Sequence, residues 1–258
     1  LVMTATPIPR SLAMSLYADC DYSVIDEMPA NRLPIQTMVM SEKSRLKLID
    51  RVRSQLKLGV QVYWVCPLID PSEMIQAQAV SQMHKILSRE FLDFKIGMVH
   101  GQMSSDEKEK IMDDFKNKKI QVLVATTVIE VGVDVPSANL IIIENAQRMG
   151  LAQLHQLRGR VGRGKDQGYC VLLYNSNLTE SGYKRLDCVR KSNDGFKLSE
   201  FDLDIRGPGS LLGTDQSGFM KFKSNINAAF IIKYSEICKE ISKSVSSDAL
   251  SVLKSRWL

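Results

Sequence analysis

The chain has 258 residues, 44% of them hydrophobic and 24% charged, with 15 glycines and 8 prolines, a balance that excludes a disordered or collagenous chain and leaves enough length to bury a real core. No apolar run approaches the roughly 18 to 20 residues that a bilayer-spanning helix needs, which excludes a helical membrane protein. The net charge is only +5, but Arg148, Arg158, Arg160, Arg163 and Lys165 share one acid-free stretch and residues 221–258 hold seven basic against three acidic side chains, so concentrated positive charge points to phosphate or nucleic acid.

In chain order, Leu46, Ile49, Val52 and Leu56 recur at helical spacing and predict a helix over 44–58, stopped by Gly59. Val60 to Cys66 reads as a buried strand ended by Pro67, followed by a helix over 72–92 and a short strand over 95–100. Ser104-Ser105-Asp106-Glu107 is a capping box that opens a helix running to Asn117. Residues 120–125 and 140–143 are β-branched strand candidates, 150–161 is helical, and 169–173 is a last strand. Strands that alternate with helices predict βαβ units and a mostly parallel sheet covered on both faces, with ligands at the carboxyl ends of its strands. After Tyr174 helix and loop remain, including a loop with Gly207, Pro208, Gly209, Gly213 and Gly218.

The five cysteines form no C-x-x-C pair and His84, His100 and His155 have no ligand-like spacing with them, so no zinc site is expected. Cys66 and Cys170 lie in apolar runs, where a reduced cysteine acts as a small hydrophobe, which indicates a reducing, cytoplasmic compartment. The opening L-V-M-T-A-T-P has neither the charged start nor the cleavage site of a signal peptide, and the chain reads as a piece of something longer.

Residues Gly159 to Asp166 nearly spell the phosphate loop G-x-x-x-x-G-K-[ST], but Asp166 replaces the hydroxyl and the segment ends a helix instead of leaving a strand. Val24 to Glu27 is too short an apolar run to present a metal-binding carboxylate. A phosphate cradle and a Mg²⁺ carboxylate are therefore expected to come from elsewhere.

Gln156 to Arg163 spells Q-L-R-G-R-V-G-R, and Ala125 to Pro136 spells A-T-T-V-I-E-V-G-V-D-V-P after a strand. In that order and spacing the two segments resemble the Q-x-x-G-R-x-G-R signature and motif V of the second motor lobe of superfamily 2 helicases. Arg160 and Arg163, three apart, are expected to share a helix face and aim permanent positive charge at one target. The resemblance makes them arginine fingers for an ATP γ-phosphate, with Gln156, Gly132 and Asp134 beside the nucleotide and Thr126 on the nucleic-acid backbone. Thr4 and Thr6 in T-A-T resemble motif III, which couples hydrolysis to movement, and His100 in H-G-Q-M resembles the motif that approaches backbone phosphates.

Met3 to Arg10 (M-T-A-T-P-I-P-R), Ser23 to Glu27 (S-V-I-D-E) and Ile205 to Gly218 (I-R-G-P-G-S-L-L-G-T-D-Q-S-G) extend the likeness, so that the chain resembles the RecG family of bacterial DNA helicases along nearly its whole length. The resemblance implies the end of a first motor lobe and a linker over 1–35, a RecA-like lobe over 36–175, and a translocation-motif hairpin, loop and C-terminal helices over 176–258. Arg185, Arg206 and Gln216 match the residues of that translocation motif. ATP and Mg²⁺ are then cofactors held mainly by a first lobe outside this sequence, and the implied partners are branched double-stranded DNA together with that lobe and an N-terminal wedge domain. The transcription-repair coupling factor Mfd shares the translocation motif and is the alternative enzyme reading. A non-catalytic nucleic-acid scaffold is the alternative of another class.

Overall fold

A computed structural model describes residues 32–67, 73–127, 135–176 and 178–206. Six strands, β1 (Gln36–Ser41), β2 (Gln61–Val65), β3 (Ile96–Val99), β4 (Val122–Ala125), β5 (Ala138–Ile143) and β6 (Tyr169–Tyr174), form one sheet in the order β1-β6-β5-β2-β4-β3. Every pairing is parallel. The helices are α1 (Arg45–Lys57), α2 (Glu73–Glu90), α3 (Ser105–Lys116), α4 (Leu151–Arg158), α5 (Glu180–Lys191) and α6 (Gly195–Arg206). The RecA-like α/β class expected from the sequence is what forms. The chain divides into two compact units, and among the described residues the boundary falls between Leu198 and Ser199, inside α6.

The sequence reading missed β1, a six-residue edge strand paired to β6 from Gln36 opposite Tyr169 to Ser41 opposite Tyr174. It also placed the end of the fourth helix too late. α4 stops at Arg158, and Gly159 and Arg160 form a turn. Arg160 and Arg163 therefore do not share a helix face, because two glycines within four residues remove the propensity that would have continued the helix. The capping box is present as expected: the Ser104 N–H donates to Glu107 Oε2 at 2.9 Å and the Glu107 N–H donates to Ser104 Oγ at 3.3 Å.

Strand order and right-handed crossovers together decide which face each helix covers. α1 and α2 carry the chain one way across the sheet, and their buried residues Ile49, Val52, Leu56, Val80 and Leu87 pack with Val62, Trp64, Val124, Ile142 and Val171. The alternate strand residues turn to the other face, where Tyr63 meets Phe115 of α3 with ring centroids 5.0 Å apart. Cys66 and Cys170 are buried and free, and burial pushes both thiols up to about 12, so they are inert hydrophobes at neutral pH.

α4 and α5 lie side by side and are tied at both ends of α4. From the middle of α5, Arg185 donates from Nη2 to the Gln147 carbonyl at 3.1 Å and from Nη1 to the Met149 carbonyl at 3.4 Å, just before α4 begins. At their far end, Arg158 is only 2% exposed and donates from Nη1 to the carbonyls of Val189 and Ser192, each at 2.7 Å. Those oxygens belong to the last turn of α5 and to its C-cap Ser192, at the end where helical N–H donors run out and the helix dipole is negative. One turn earlier, His155 bonds the Asn193 backbone, and burial reinforced by the Arg158 charge pushes its imidazole down to about 4.

Two outcomes follow from this clamp. Arg158→Ala leaves a cavity and two buried carbonyls without a donor, and urea denaturation should register a loss of about 3 kcal/mol. Because the folded pKa of His155 lies below its ordinary 6.5, the unfolded chain binds the extra proton between pH 6.5 and about 4. Stability conferred by the neutral imidazole is thus complete above that window and is lost as pH falls through it, by roughly 2 to 3 kcal/mol. Comparison of wild type with His155→Gln by denaturation at pH 7 and pH 4.5 isolates this contribution, which should be absent from the variant.

Candidate nucleotide and nucleic-acid site

The two glycines that end the helix also shape the loop that carries the arginines. Gly162 adopts φ +65°, a left-handed conformation that β-carbons disfavour, and it faces Gly168 so closely that a Cβ on Gly168 would stand 2.8 Å from the Gly162 Cα. Gly164 leaves only 2.8 Å between a would-be Cβ and the Pro136 carbonyl oxygen. The loop from Gly159 to Gly168 thus closes on itself and on the residue that leads into β5. Arg32 Nη2 donates to the Gly159 carbonyl at 3.4 Å, and Gln167 Nε2 donates to the Pro34 carbonyl at 2.6 Å. Pro34, Pro136 and Gly168 precede β1, β5 and β6, so the arginine loop stands at the amino-terminal edge of the sheet.

The loop thus lies at the edge opposite the carboxyl ends of the strands. Within the loop, Arg163 is exposed and donates from Nε to the Gly159 carbonyl at 3.0 Å, which curls it back toward the end of α4. Arg160 is half-buried, and its N–H donates to the Leu157 carbonyl at 3.0 Å. Gln156 is also half-buried, on α4 one turn before Arg160. The segment that nearly spells a phosphate loop joins α4 to β6, the reverse of the strand-to-helix context such a loop requires.

The carboxyl edge holds a second group. His100 follows β3 and Thr126 follows β4, and since Val99 pairs with Ala125 the two residues end adjacent strands. The Thr126 N–H donates to the Val99 carbonyl at 3.2 Å, and the side chain of Thr126 is buried. His100 is half-buried, with Nδ1 accepting and donating no hydrogen bond among the described residues. Arg185 sits at this same edge through its bonds to the carbonyls that follow β5.

Glu144, which the sequence reading did not single out, is the buried carboxylate of this edge. It takes a bidentate bond from Arg45 at 2.5 and 2.6 Å and a bond from the Trp64 indole at 2.9 Å. Burial opposes the Arg45 charge, but the Glu144 carboxylate outweighs it and the guanidinium is held more firmly protonated than usual. With both oxygens engaged, Glu144 fastens α1 to β5 and β2 and is not poised to act as a base. Its only sequence signal was a carboxylate closing the run I-I-I-E.

Of the other expected site residues, Thr4, Thr6, Gly132, Asp134 and Gln216 lie outside the described residues. Arg206 is the last residue of α6, and its side chain also lies outside them. Among the described residues no three His, Cys, Asp or Glu side chains converge as a metal cluster, and no helix is long and apolar enough to cross a membrane.

Comparison with known proteins gives this geometry a family. The Helicase conserved C-terminal domain matches residues 40–165, and the ATP-dependent DNA helicase RecG, domain 3, C-terminal family matches residues 192–246. An ATP-dependent DNA helicase RecG of Escherichia coli O127:H6 is 54% identical over 86% of this chain and 32% of its own length. One from Acidithiobacillus ferridurans is 45% identical over 100% of this chain and 38% of its own. A solved structure of RecG bound to a three-way DNA junction is 42% identical, with a TM-score of 0.71, over 92% of this chain and 30% of that one. The RNA-bound Dbp5 of S. cerevisiae, 17% identical with a TM-score of 0.50 over 72% of this chain and 46% of that one, shares the fold alone. The chain spans about a third of the length of the curated relatives it matches, and with a helicase C-terminal domain followed by a RecG-specific segment it belongs to the RecG family.

Proposed function

We propose that this chain is the distal motor half of an ATP-dependent double-stranded DNA translocase, a cytoplasmic enzyme that remodels branched DNA such as stalled forks and four-way junctions. The observation that carries the reading is the separation of two sets of residues by one sheet. Arg160 and Arg163 occupy a glycine-shaped loop at the amino edge, whereas His100 and Thr126 end neighbouring strands at the carboxyl edge. Such an arrangement suits a lobe that meets a nucleotide on one side and a DNA backbone on another. Relatives that carry the name ATP-dependent DNA helicase, and a RecG solved on a three-way junction, supply the chemistry.

In this reading ATP, bound with Mg²⁺ by the first motor lobe, provides the phosphoryl group whose transfer drives movement. Arg160 and Arg163 contribute charge that does not depend on pH, from a loop too tightly packed to rearrange freely, and so stabilise the extra negative charge of the transition state. Gln156, with Gly132 and Asp134, borders the same nucleotide. Thr126 and His100 belong to the DNA track. Arg185, Arg206 and Gln216 convert lobe closure into duplex movement, with the wedge domain as the partner that splits the branch.

In the full-length protein, Arg160→Ala or Arg163→Ala should leave DNA affinity nearly unchanged and slow hydrolysis by about 10³-fold or more. Equal losses in affinity and turnover, measured by DNA titration and steady-state ATPase, would move these arginines to the DNA track. Gln216→Ala or Arg206→Ala should keep most DNA-stimulated ATPase while losing fork unwinding, because a contact that differs between open and closed lobes can bias position without entering the chemistry. Paired assays at matched low salt test this, and a parallel decline of both activities contradicts it.

A further inference from the structure

β5 ends in a tight corner at the carboxyl edge of the sheet. Asn145 takes the left-handed conformation with φ 45°, uncommon for a residue that carries a β-carbon. One turn of 3₁₀ helix follows over Ala146–Arg148, in which the Arg148 N–H donates to the Asn145 carbonyl at 2.9 Å and the Met149 N–H to the Ala146 carbonyl at 3.1 Å. The corner is tied from two sides. Asn175, just after β6, donates from Nδ2 to Asn145 Oδ1 at 3.3 Å, and Arg185 holds the Gln147 and Met149 carbonyls. Ala146, Gln147 and Met149 are buried, whereas Arg148 between them is exposed. Sparsely populated backbone that its surroundings hold so firmly is characteristic of places where a side chain is presented to a ligand.

Arg148 is the one cation of the acid-free stretch that stands at this edge. Arg158 is buried against α5, and Arg160, Arg163 and Lys165 belong to the loop at the amino edge. The Arg148 guanidinium has no hydrogen-bond or ion-pair partner among the described residues. Glu144, four residues before it, is already engaged by Arg45 and Trp64. A permanently charged, forked donor of this kind matches a phosphate.

Backbone bonds align the strand ends on which the corner stands. The Glu144 N–H donates to the Val65 carbonyl at 2.9 Å, the Cys66 N–H to the Ala125 carbonyl at 2.8 Å and the Thr126 N–H to the Val99 carbonyl at 3.2 Å. At about 4.8 Å per strand, the ends of β5, β2, β4 and β3 therefore spread over about 14 Å, from the residue before the corner to the residue before His100. A DNA strand that advances about 3.4 Å per nucleotide covers that span in about four nucleotides.

We propose that Arg148 is a further phosphate contact of the DNA track, gripping the backbone that passes Thr126 and His100 about four nucleotides away. The inference rests on the assignment of the carboxyl edge to DNA. A cation on a tied corner, bonded to nothing that it must first release, loses little freedom when it meets a phosphate.

The test uses the full-length protein and a synthetic three-way DNA junction, with anisotropy titrations between about 50 and 200 mM salt. Arg148→Gln should weaken binding about tenfold at low salt and lower the slope of log affinity against log salt by about 0.9, the signature of one lost phosphate contact. Arg148→Lys should restore most of that slope, because a point charge still displaces the counterion. In steady-state ATPase assays, Arg148→Gln should raise the DNA concentration for half-maximal stimulation about tenfold and lower saturated turnover far less, the reverse of the loss expected for the arginine loop. Lys57→Gln removes an equal charge from the exposed last turn of α1, at the amino edge, and should leave affinity and slope as in wild type. Wild-type affinity and slope in Arg148→Gln, or a change no larger than in Lys57→Gln, overturn the proposal. His100→Ala separates the causes of such a failure. Weaker binding by His100→Ala beside an unaltered Arg148→Gln removes Arg148 from the track and leaves DNA at that edge, whereas unaltered binding by both removes the edge assignment as well.

Discussion

The guanidinium of Arg158 is the charge that holds the end of α4 against the end of α5. It cannot deprotonate, it is buried, and its partners are the carbonyls of Val189 and Ser192 and not a carboxylate. Taking such a charge out of water costs several kcal/mol, while two bonds from a charged donor return roughly 1.5 to 3 kcal/mol each and the end of a helix dipole adds up to about 2. The terms nearly cancel, so Arg158 contributes little net stability as a pair. What it contributes is geometry, since any arrangement that separates α4 from the end of α5 strands a buried charge and two carbonyls together. Arg185, from the middle of α5, adds a second tie to the carbonyls just before α4.

The end of α4 held in this way carries the arginine loop. α4 ends on Arg158, the next residue is Gly159, and the chain then folds over Gly162 and Gly168, whose backbones meet where any side chain would collide. A loop so constrained presents Arg160 and Arg163 without paying to order them at the moment of use, which is the condition under which fixed charges act on a transition state most effectively. The sheet then separates this loop from His100 and Thr126 at the opposite edge. Because β4 is buried along its length and hydrogen-bonded between β2 and β3, the separation is rigid on the scale of the domain.

The parts legible in the sequence were those encoded locally. The capping box at Ser104, the apolar spacing of α1 and the β-branched runs of β4 and β5 each declare themselves within a dozen residues. β1 stayed hidden because an edge strand buries little, and Q-T-M-V-M-S carries polar ends and no long apolar run. The helix after Gly150 ends before its spacing predicts, because Val161 continues the apolar period whereas Gly159 and Gly162 act through backbone conformation that periodicity ignores. Arg158 and Glu144 were unreadable for a different reason. Their partners lie 31, 34, 80 and 99 residues away, and nothing local distinguishes an arginine that caps a distant helix from one that faces solvent. The motif residues showed the reverse pattern: the spacing of Arg160 and Arg163 was plain, but the edge of the sheet they occupy followed only from the contacts of the loop with residues 34, 136 and 168.

The most direct measurement is the structure of the full-length protein with a branched DNA and ADP–aluminium fluoride, which mimics the phosphoryl group in flight. The guanidinium groups of Arg160 and Arg163 should lie within hydrogen-bonding distance, about 3 Å, of the fluoride atoms or the γ-phosphate position, with the DNA backbone at the edge of His100 and Thr126. Arginines bonded to DNA phosphates and remote from the fluoride, or DNA lying against the amino edge of the sheet, would contradict the assignment of the two edges.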